Sequence, residues 1–268
     1  MQRYEHVYII MMDGAGAFLK DISAPHTKEF LKSGFVTYQA QTVFPTISAE
    51  CYGALLHGVS PQKHGRTNDN TGLERYPEDS PYPSIFKLVH EADPKAVLAS
   101  FTCWPNITYG IIEASAGHAK VSVPDDELAQ LCASYLRLSD PKLLLCVFDD
   151  TDHAGHFYGY NTPDHHAQIA HTDRNVGIVL DAIRDAGHLE DSLVILCADH
   201  GGGGDYGPKS HGSHAACDQT IFWGCAGKGV QQGDFAIDIR DTAAIALQAL
   251  GLDVPEWMEG RVPEGLFA

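Results

Sequence analysis

The chain has 268 residues, a formal net charge of −17 from 35 acidic and 18 basic side chains, and 44% hydrophobic residues. This composition excludes disordered and fibrous classes, and the length suits one hydrophobic core, so a single domain over residues 1–268 is expected. So negative a field argues against non-specific nucleic-acid binding, while fifteen histidines among surplus carboxylates suit a protein that gathers divalent cations, although most of those carboxylates serve solubility.

The opening stretch MQRYEHVYIIMMDG lacks a signal-peptide layout. Its apolar run is far shorter than the roughly 20 residues that span a bilayer, so no membrane association is expected. His6 to Met12 reads as a buried strand that delivers Asp13 to a loop. A helix follows Ser48, over Ala49 to His57. Arg66 to Pro83, rich in Asn, Asp, Gly and Pro, reads as a surface loop near the site. Pro83 to Glu91 is helical in pattern, and Ala96 to Phe101 is a further strand. Lys142 to Phe148 is a strand running into Asp149-Asp150-Thr151-Asp152. Ala167 to Ala186 carries Ile169, Val176, Val179, Leu180 and Ile183 at helical spacing and stops at Gly187. Ser192 to Ala198 is a strand running into Asp199-His200-Gly201, and Thr242 to Leu250 is a last helix closed by Gly251.

Continuous apolar strands alternating with helices predict a three-layer α/β/α sandwich around a mainly parallel sheet. Ligands of such sheets bind beyond the carboxyl ends of strands, where three of these strands end in Asp. The seven cysteines, at 51, 103, 132, 146, 197, 217 and 225, form no CxxC pair. A reducing, cytoplasmic setting without disulfides is expected.

Several residues carry candidate chemistry, each with an ordinary reading beside it. Asp152 and His156, four apart, share a face if their segment is helical, and a carboxylate with an imidazole suits zinc or a similar ion; otherwise they form a satisfied polar turn. Asp199-His200 precedes four glycines, which would let backbone approach a ligand. His211 and His214 read equally as metal ligands, acid–base groups or loop residues. Ser48 reads as a helix N-cap, or as a nucleophile at an anion-attracting helix start. No G-x-S-x-G elbow and no Walker-type loop occurs.

In this order, the strand ending in Asp13, PTISAECYGALLHGVSPQKHG, FDDTDHAGHFYG, ILCADHGG, SHG and DTAAIALQALGLDVPEWMEGR resemble the alkaline phosphatase superfamily, in its type I phosphodiesterase/nucleotide pyrophosphatase branch. The resemblance covers nearly the whole chain and implies a two-metal phosphoesterase. One ion would be held by Asp13, Ser48, Asp199 and His200, the other by Asp152, His156 and His211. Ser48 aligns with the nucleophile and would form a phospho-enzyme. His211 is preferred over His214 because relatives have His-Gly there. Asn68 lies near the position of an asparagine that binds the phosphoryl oxygen, with Asp69 and Asn70 as alternatives. The donor set matches Zn²⁺, with Mn²⁺ or Fe as other occupants.

The chain departs from its relatives in places. Ala198 stands where Ser or Thr is common. The Cys-x-Pro-x-Arg of sulfatases is absent, no Arg neighbours Ser48 as in alkaline phosphatases proper, and no large cap insertion is present. The expected substrate is a small phosphoester at an open site, with Trp104 and Tyr158 as substrate-binding candidates beside Asn68. Phe44, Asn106, Tyr109 and Phe157 are further selectors, and each could instead be core packing. A metal-dependent phosphomonoesterase or phosphonate hydrolase on the same scaffold is the alternative, and a non-catalytic metal or phosphate-ester binding protein a remote one. Oligomeric state is left open by the sequence.

Overall fold

The computed structural model describes residues 4–268. The elements in chain order are β1 (His6–Met12), α1 (Pro25–Leu31), β2 (Phe35–Gln41), α2 (Ser48–His57), α3 (Pro61–His64), α4 (Asn68–Thr71), α5 (Ile85–Ala92), β3 (Leu98–Thr102), β4 (Ala119–Val121), α6 (Asp125–Leu138), β5 (Leu143–Phe148), α7 (Asp150–Tyr158), α8 (Pro163–Asp185), β6 (Ser192–Cys197), α9 (Ala216–Gln219), β7 (Thr220–Ala226) and α10 (Asp241–Ala249).

The strands form one seven-stranded sheet in the order β2-β7-β6-β1-β5-β3-β4. β1 runs parallel to both β5 and β6, and β3 runs parallel to β5 and β4. β7 is antiparallel to both its neighbours, β6 and β2. The three most apolar runs are therefore side by side at the centre, where every residue of β1, β5 and β6 is buried. Continuous rather than alternating hydrophobicity is what burial on both faces demands. The parallel register pairs Met12 with Phe148 and Met11 with Cys197, so the carboxyl ends of all three strands open on one edge. The helices form two groups flanking the sheet: α1, α6 and α7 pack on α8, while α2, α5 and α10 pack on one another. This is the expected three-layer α/β/α sandwich around a mainly parallel sheet.

The expected strands and helices appear with ends displaced by a few residues. The largest displacement is in α8, which starts four residues before the periodic segment because Thr162 accepts a hydrogen bond from the His165 amide and Pro163 occupies the first helical position. Among the elements without a counterpart in the sequence reading are α1, β2, β4 and α6. β2 and β4 are the edge strands, half-exposed and without a sustained apolar run. The Arg66–Pro83 segment is irregular apart from α4, as expected, but Arg66, Thr71 and Tyr76 bury and anchor it.

Ile9 stands at the middle of β1 and is fully buried between β5 and β6. Ile9→Ala is expected to lower unfolding free energy by about 2–5 kcal/mol in urea denaturation, the usual cost of emptying a core site that cannot collapse. A change under about 0.5 kcal/mol, the scale of surface substitutions, would contradict that placement.

Candidate active site

The carboxyl ends of β1, β5 and β6 deliver Asp13, Asp149 and Asp199 to one edge of the sheet, with His200 directly after Asp199. After β5 the chain turns at once into α7. Buried Asp125 enforces that turn by accepting hydrogen bonds from the amides of Asp149 at 3.0 Å and Asp150 at 2.9 Å. α7 places Asp152 and His156 one turn apart, with Asp152 Oδ2 3.2 Å from His156 Nε2. Gly14, at φ +68°, lets β1 pass close to this helix, because a Cβ there would stand 2.7 Å from Asp152 Oδ1.

Ser48 opens α2 as its first helical residue, not its cap: the cap position is Ile47, without any side-chain capping bond. The Ser48 hydroxyl instead lies 3.2 Å from His200 Nε2. Asn68, from α4, accepts a hydrogen bond from the Ala49 amide at 2.9 Å, which sets its side chain beside the start of α2. Asn70 is consumed by α4 itself, accepting from the Thr67 amide and donating to the Gly65 carbonyl. Of Asn68, Asp69 and Asn70, the structure thus joins Asn68 to the start of α2, beside Ser48.

The three imidazoles of the cluster share one arrangement. Nδ1 of His156 donates to the Lys209 carbonyl (2.9 Å), Nδ1 of His200 to the Gly201 carbonyl (2.8 Å) and Nδ1 of His211 to the Thr46 carbonyl (2.6 Å). A carbonyl only accepts, so each Nδ1 carries the proton and each Nε2 faces the carboxylates. His200 Nε2 is 3.5 Å from Asp13 Oδ1 and 3.3 Å from Asp199 Oδ2, and His211 Nε2 is 3.9 Å from Asp152 Oδ1. Donor atoms sharing a tetrahedral ion at about 2.0–2.2 Å sit roughly 3.4 Å apart, the range seen here. Asp13 Oδ1 and Asp199 Oδ2 are buried without a hydrogen-bond partner. A divalent cation would satisfy these orphaned oxygens and the inward lone pairs together, so the residues present fit such an ion. Asp152 with His156 and His211, and Asp13 with Asp152 and His200, each gather within ligating distance.

Electrostatics agree with this fit. Burial pushes the Asp13 carboxyl well above the usual range, with Asp199 adding to the effect, and burial lifts Asp199 to about 8. Burial also opposes ionisation of Asp152, but its hydrogen bond with His156 and the nearby His200 and His211 bring it below the usual range. His156 is raised by that same bond, whereas burial lowers His200, and lowers His211 to about 4. Without a cation, Asp13 and Asp199 favour the protonated form; a divalent ion would displace those protons.

Other residues are set apart. His214 is exposed and stacks on Phe44 with 3.6 Å between ring centroids, while His211 stacks on His200 at 3.9 Å inside the cluster. No hydrogen bond or ring contact among the described residues joins Trp104 or Tyr158 to the cluster. Tyr158 packs on Phe157, and Trp104 packs against the core. Tyr109 lies between the cations of Arg75 and Lys120, and Asn106 packs near Gly72. The glycine run after His200 meets protein where a ligand was expected: a Cβ at Gly201 would collide with the Cys217 carbonyl, and one at Gly202 with the Tyr160 ring.

Sequence reasoning missed the supporting groups. Tyr160 donates to Asp152 Oδ1 at 2.5 Å, and Tyr52 donates to Asp13 Oδ2 at 2.9 Å. Thr46 ties the loop before Ser48 to the loop that carries His211: its hydroxyl donates to the Ser213 carbonyl and accepts from the Gly212 amide. Buried Asp218 gathers the same loop through the amides of Gly204 and Ser213. Tyr52 and Thr46 reach partners 39 and 166 residues away, which no spacing announces, and Tyr160, though eight residues from Asp152, lies past the end of α7, where helical spacing no longer applies.

The family model described as type I phosphodiesterase/nucleotide pyrophosphatase matches residues 7–204. The chain belongs to this family. The match takes in Asp13, Ser48, Asn68, Asp152, His156, Asp199 and His200, and ends before His211. Human ectonucleotide pyrophosphatase/phosphodiesterase family member 7 is 23% identical over 207 residues, covering 68% of this chain and 44% of that protein. The chain thus spans less than half the length of that curated relative. Among solved structures, murine ectonucleotide pyrophosphatase/phosphodiesterase 5 superposes with a TM-score of 0.76 at 13% identity, covering 98% of this chain and 100% of that one. A 2-O GAG sulfatase matches with a TM-score of 0.76 at 15% identity, over 96% of this chain and 73% of the other. These likenesses show the shared fold.

Because the Tyr160 hydroxyl orients Asp152, Tyr160→Phe is expected to weaken metal binding or activity about 10–100-fold, the usual loss on removing a partner of a metal-ligating side chain. Metal titration of the purified variant reads this out; unchanged affinity and activity would remove Tyr160 from the support of Asp152.

Proposed function

We propose that this chain is a metal-dependent phosphodiesterase of the nucleotide pyrophosphatase type, with Ser48 as nucleophile. The observation that carries the reading is the shared posture of His156, His200 and His211: Nδ1 tied to backbone, Nε2 turned onto buried carboxylates, and the Ser48 hydroxyl on the Nε2 of His200. Asp13, Ser48, Asp199 and His200 would hold one ion and Asp152, His156 and His211 the other, with Zn²⁺ the best match to the donors and Mn²⁺ or Fe as substitutes. Two divalent ions would supply Lewis-acid charge and ease loss of the Ser48 proton, which this acidic site otherwise resists.

The residues then act in order. Ser48, at the start of α2, meets the phosphoryl group where helix amides favour an anion. Asn68, its carbonyl fixed by the Ala49 amide, offers its NH₂ group to a phosphoryl oxygen. Ser48 Oγ forms a bond to phosphorus as the ester oxygen leaves with its alcohol or phosphate. Water then displaces Ser48 and restores the free hydroxyl. The half-exposed side of His156 leaves the cluster open, which suits an ester with substituents on two oxygens. The absence of an Arg beside Ser48 favours diesters over monoesters. Inactive murine ectonucleotide pyrophosphatase/phosphodiesterase 5, solved in complex with AMP, places nucleotide esters among the substrates to test. The odd cysteine count without a CxxC pair is the ground on which a reducing, cytoplasmic setting is proposed.

Ser48→Ala is expected to lower bis-p-nitrophenyl phosphate hydrolysis by at least about 10⁴-fold, as for other serine nucleophiles, while metal content holds. A variant that stays active would overturn the nucleophile assignment. The wild-type protein should hydrolyse bis-p-nitrophenyl phosphate faster than p-nitrophenyl phosphate; the reverse order would favour a phosphomonoesterase.

A further inference from the structure

The three central strands carry a second cluster at their amino ends, on the edge opposite Ser48. His6 opens β1, Asp140 lies between α6 and β5, and His188 lies between α8 and β6. One nitrogen from each ring and one Asp140 oxygen gather within 4.8 Å of one another. β1 alone separates this cluster from Asp13 by seven residues, roughly 23 Å along an extended strand.

The geometry resembles that of the Ser48 cluster. His6 Nδ1 lies 3.1 Å from the Pro141 carbonyl, so it is the protonated nitrogen, and Nε2 is left facing Asp140. His188 Nδ1 pairs with the hydroxyl of fully buried Tyr8 at 2.8 Å, which turns its own Nε2 the same way. The rings stack with 4.5 Å between centroids, which fixes both orientations. The two Nε2 atoms stand 3.6 and 3.5 Å from a single oxygen, Asp140 Oδ1. Those separations exceed good hydrogen bonds, yet match the roughly 3.4 Å between neighbouring donors in a tetrahedral shell. With Nδ1 protonated, the neutral His6 ring turns a lone pair toward this carboxylate, a repulsive pair unless a cation or a proton lies between them. Backbone and Tyr8 partners on the far nitrogens are the outer support that metal-binding histidines ordinarily have.

We propose that His6, Asp140 and His188 form a peripheral site for a borderline divalent ion of the zinc class, with solvent completing its shell on the exposed Asp140 side. Two imidazoles and one carboxylate suit such an ion better than calcium or magnesium, which favour all-oxygen shells. The site joins segments 134 and 48 residues apart in sequence, so an ion bound there staples the amino ends of β1, β5 and β6 and stabilises the folded chain by linkage. It stands independently of the chemistry assigned to Ser48.

The test is zinc content after equilibration with micromolar Zn²⁺ and removal of unbound metal, for wild type, Asp140→Asn and His188→Gln. Asp140 is 78% exposed, so its substitution does not disturb the core. Each variant is expected to hold one zinc equivalent fewer than wild type, with phosphodiester turnover unchanged and a smaller rise in Tm on adding Zn²⁺. Equal zinc content in wild type and either variant overturns the proposal. Loss of an equivalent together with loss of turnover places that ion at the Ser48 cluster and also overturns it.

Discussion

The organising constraint of this protein is a buried concentration of negative charge. Asp13, Asp152 and Asp199 converge at the ends of three adjacent strands, and the first and last of them are essentially shut off from water. Carboxylates in such a place do not stay ionised unaided, which is why burial drives Asp13 and Asp199 toward the protonated form. The surrounding groups do not relieve the charge with Lys or Arg. They present imidazole lone pairs and a serine hydroxyl, groups that bind cations and do not replace them. Asp13 Oδ1 and Asp199 Oδ2 are left without a hydrogen-bond partner, which supports the proposal that the site takes cations.

The fold supplies this arrangement by topology. A parallel sheet sends the ends of β1, β5 and β6 to a common edge, so residues more than a hundred positions apart meet without long side chains. The local supports then fix direction. Asp125 turns the chain into α7, Tyr52 and Tyr160 hold carboxylates from behind, and Thr46 locks the loop that carries His211 to the loop that carries Ser48. The net charge of −17 is no obstacle to an anionic substrate, since divalent ions would reverse the sign locally.

Much of this was legible in the sequence, for a definite reason. β1, β5 and β6 are buried on both faces and read as unbroken apolar runs that end in Asp, so the strands and the active edge could be placed together. β2 and β4 lie at the sheet edges, where half-exposed residues carry no such pattern. α6 did carry one, with Leu128, Ala129, Cys132, Ala133 and Leu136 buried at helical spacing, but polar residues between them dilute it. At the site, short motifs pointed to Asp152 with His156 and to Asp199 with His200. Spacing could not separate His211 from His214, because the difference is which one faces Asp152 across the fold. The roles of Tyr52 and Asp125 were invisible for the same reason, and that of Tyr160, eight residues past Asp152, because it lies beyond the end of α7.

Anomalous diffraction at the zinc edge, from crystals grown with Zn²⁺, tests the central claim most directly. The account predicts two peaks in the Ser48 cluster, one among Asp13, Ser48, Asp199 and His200 and one among Asp152, His156 and His211. A cluster holding a single ion or none, or an ion bound by His214 with His211 turned away, would contradict it.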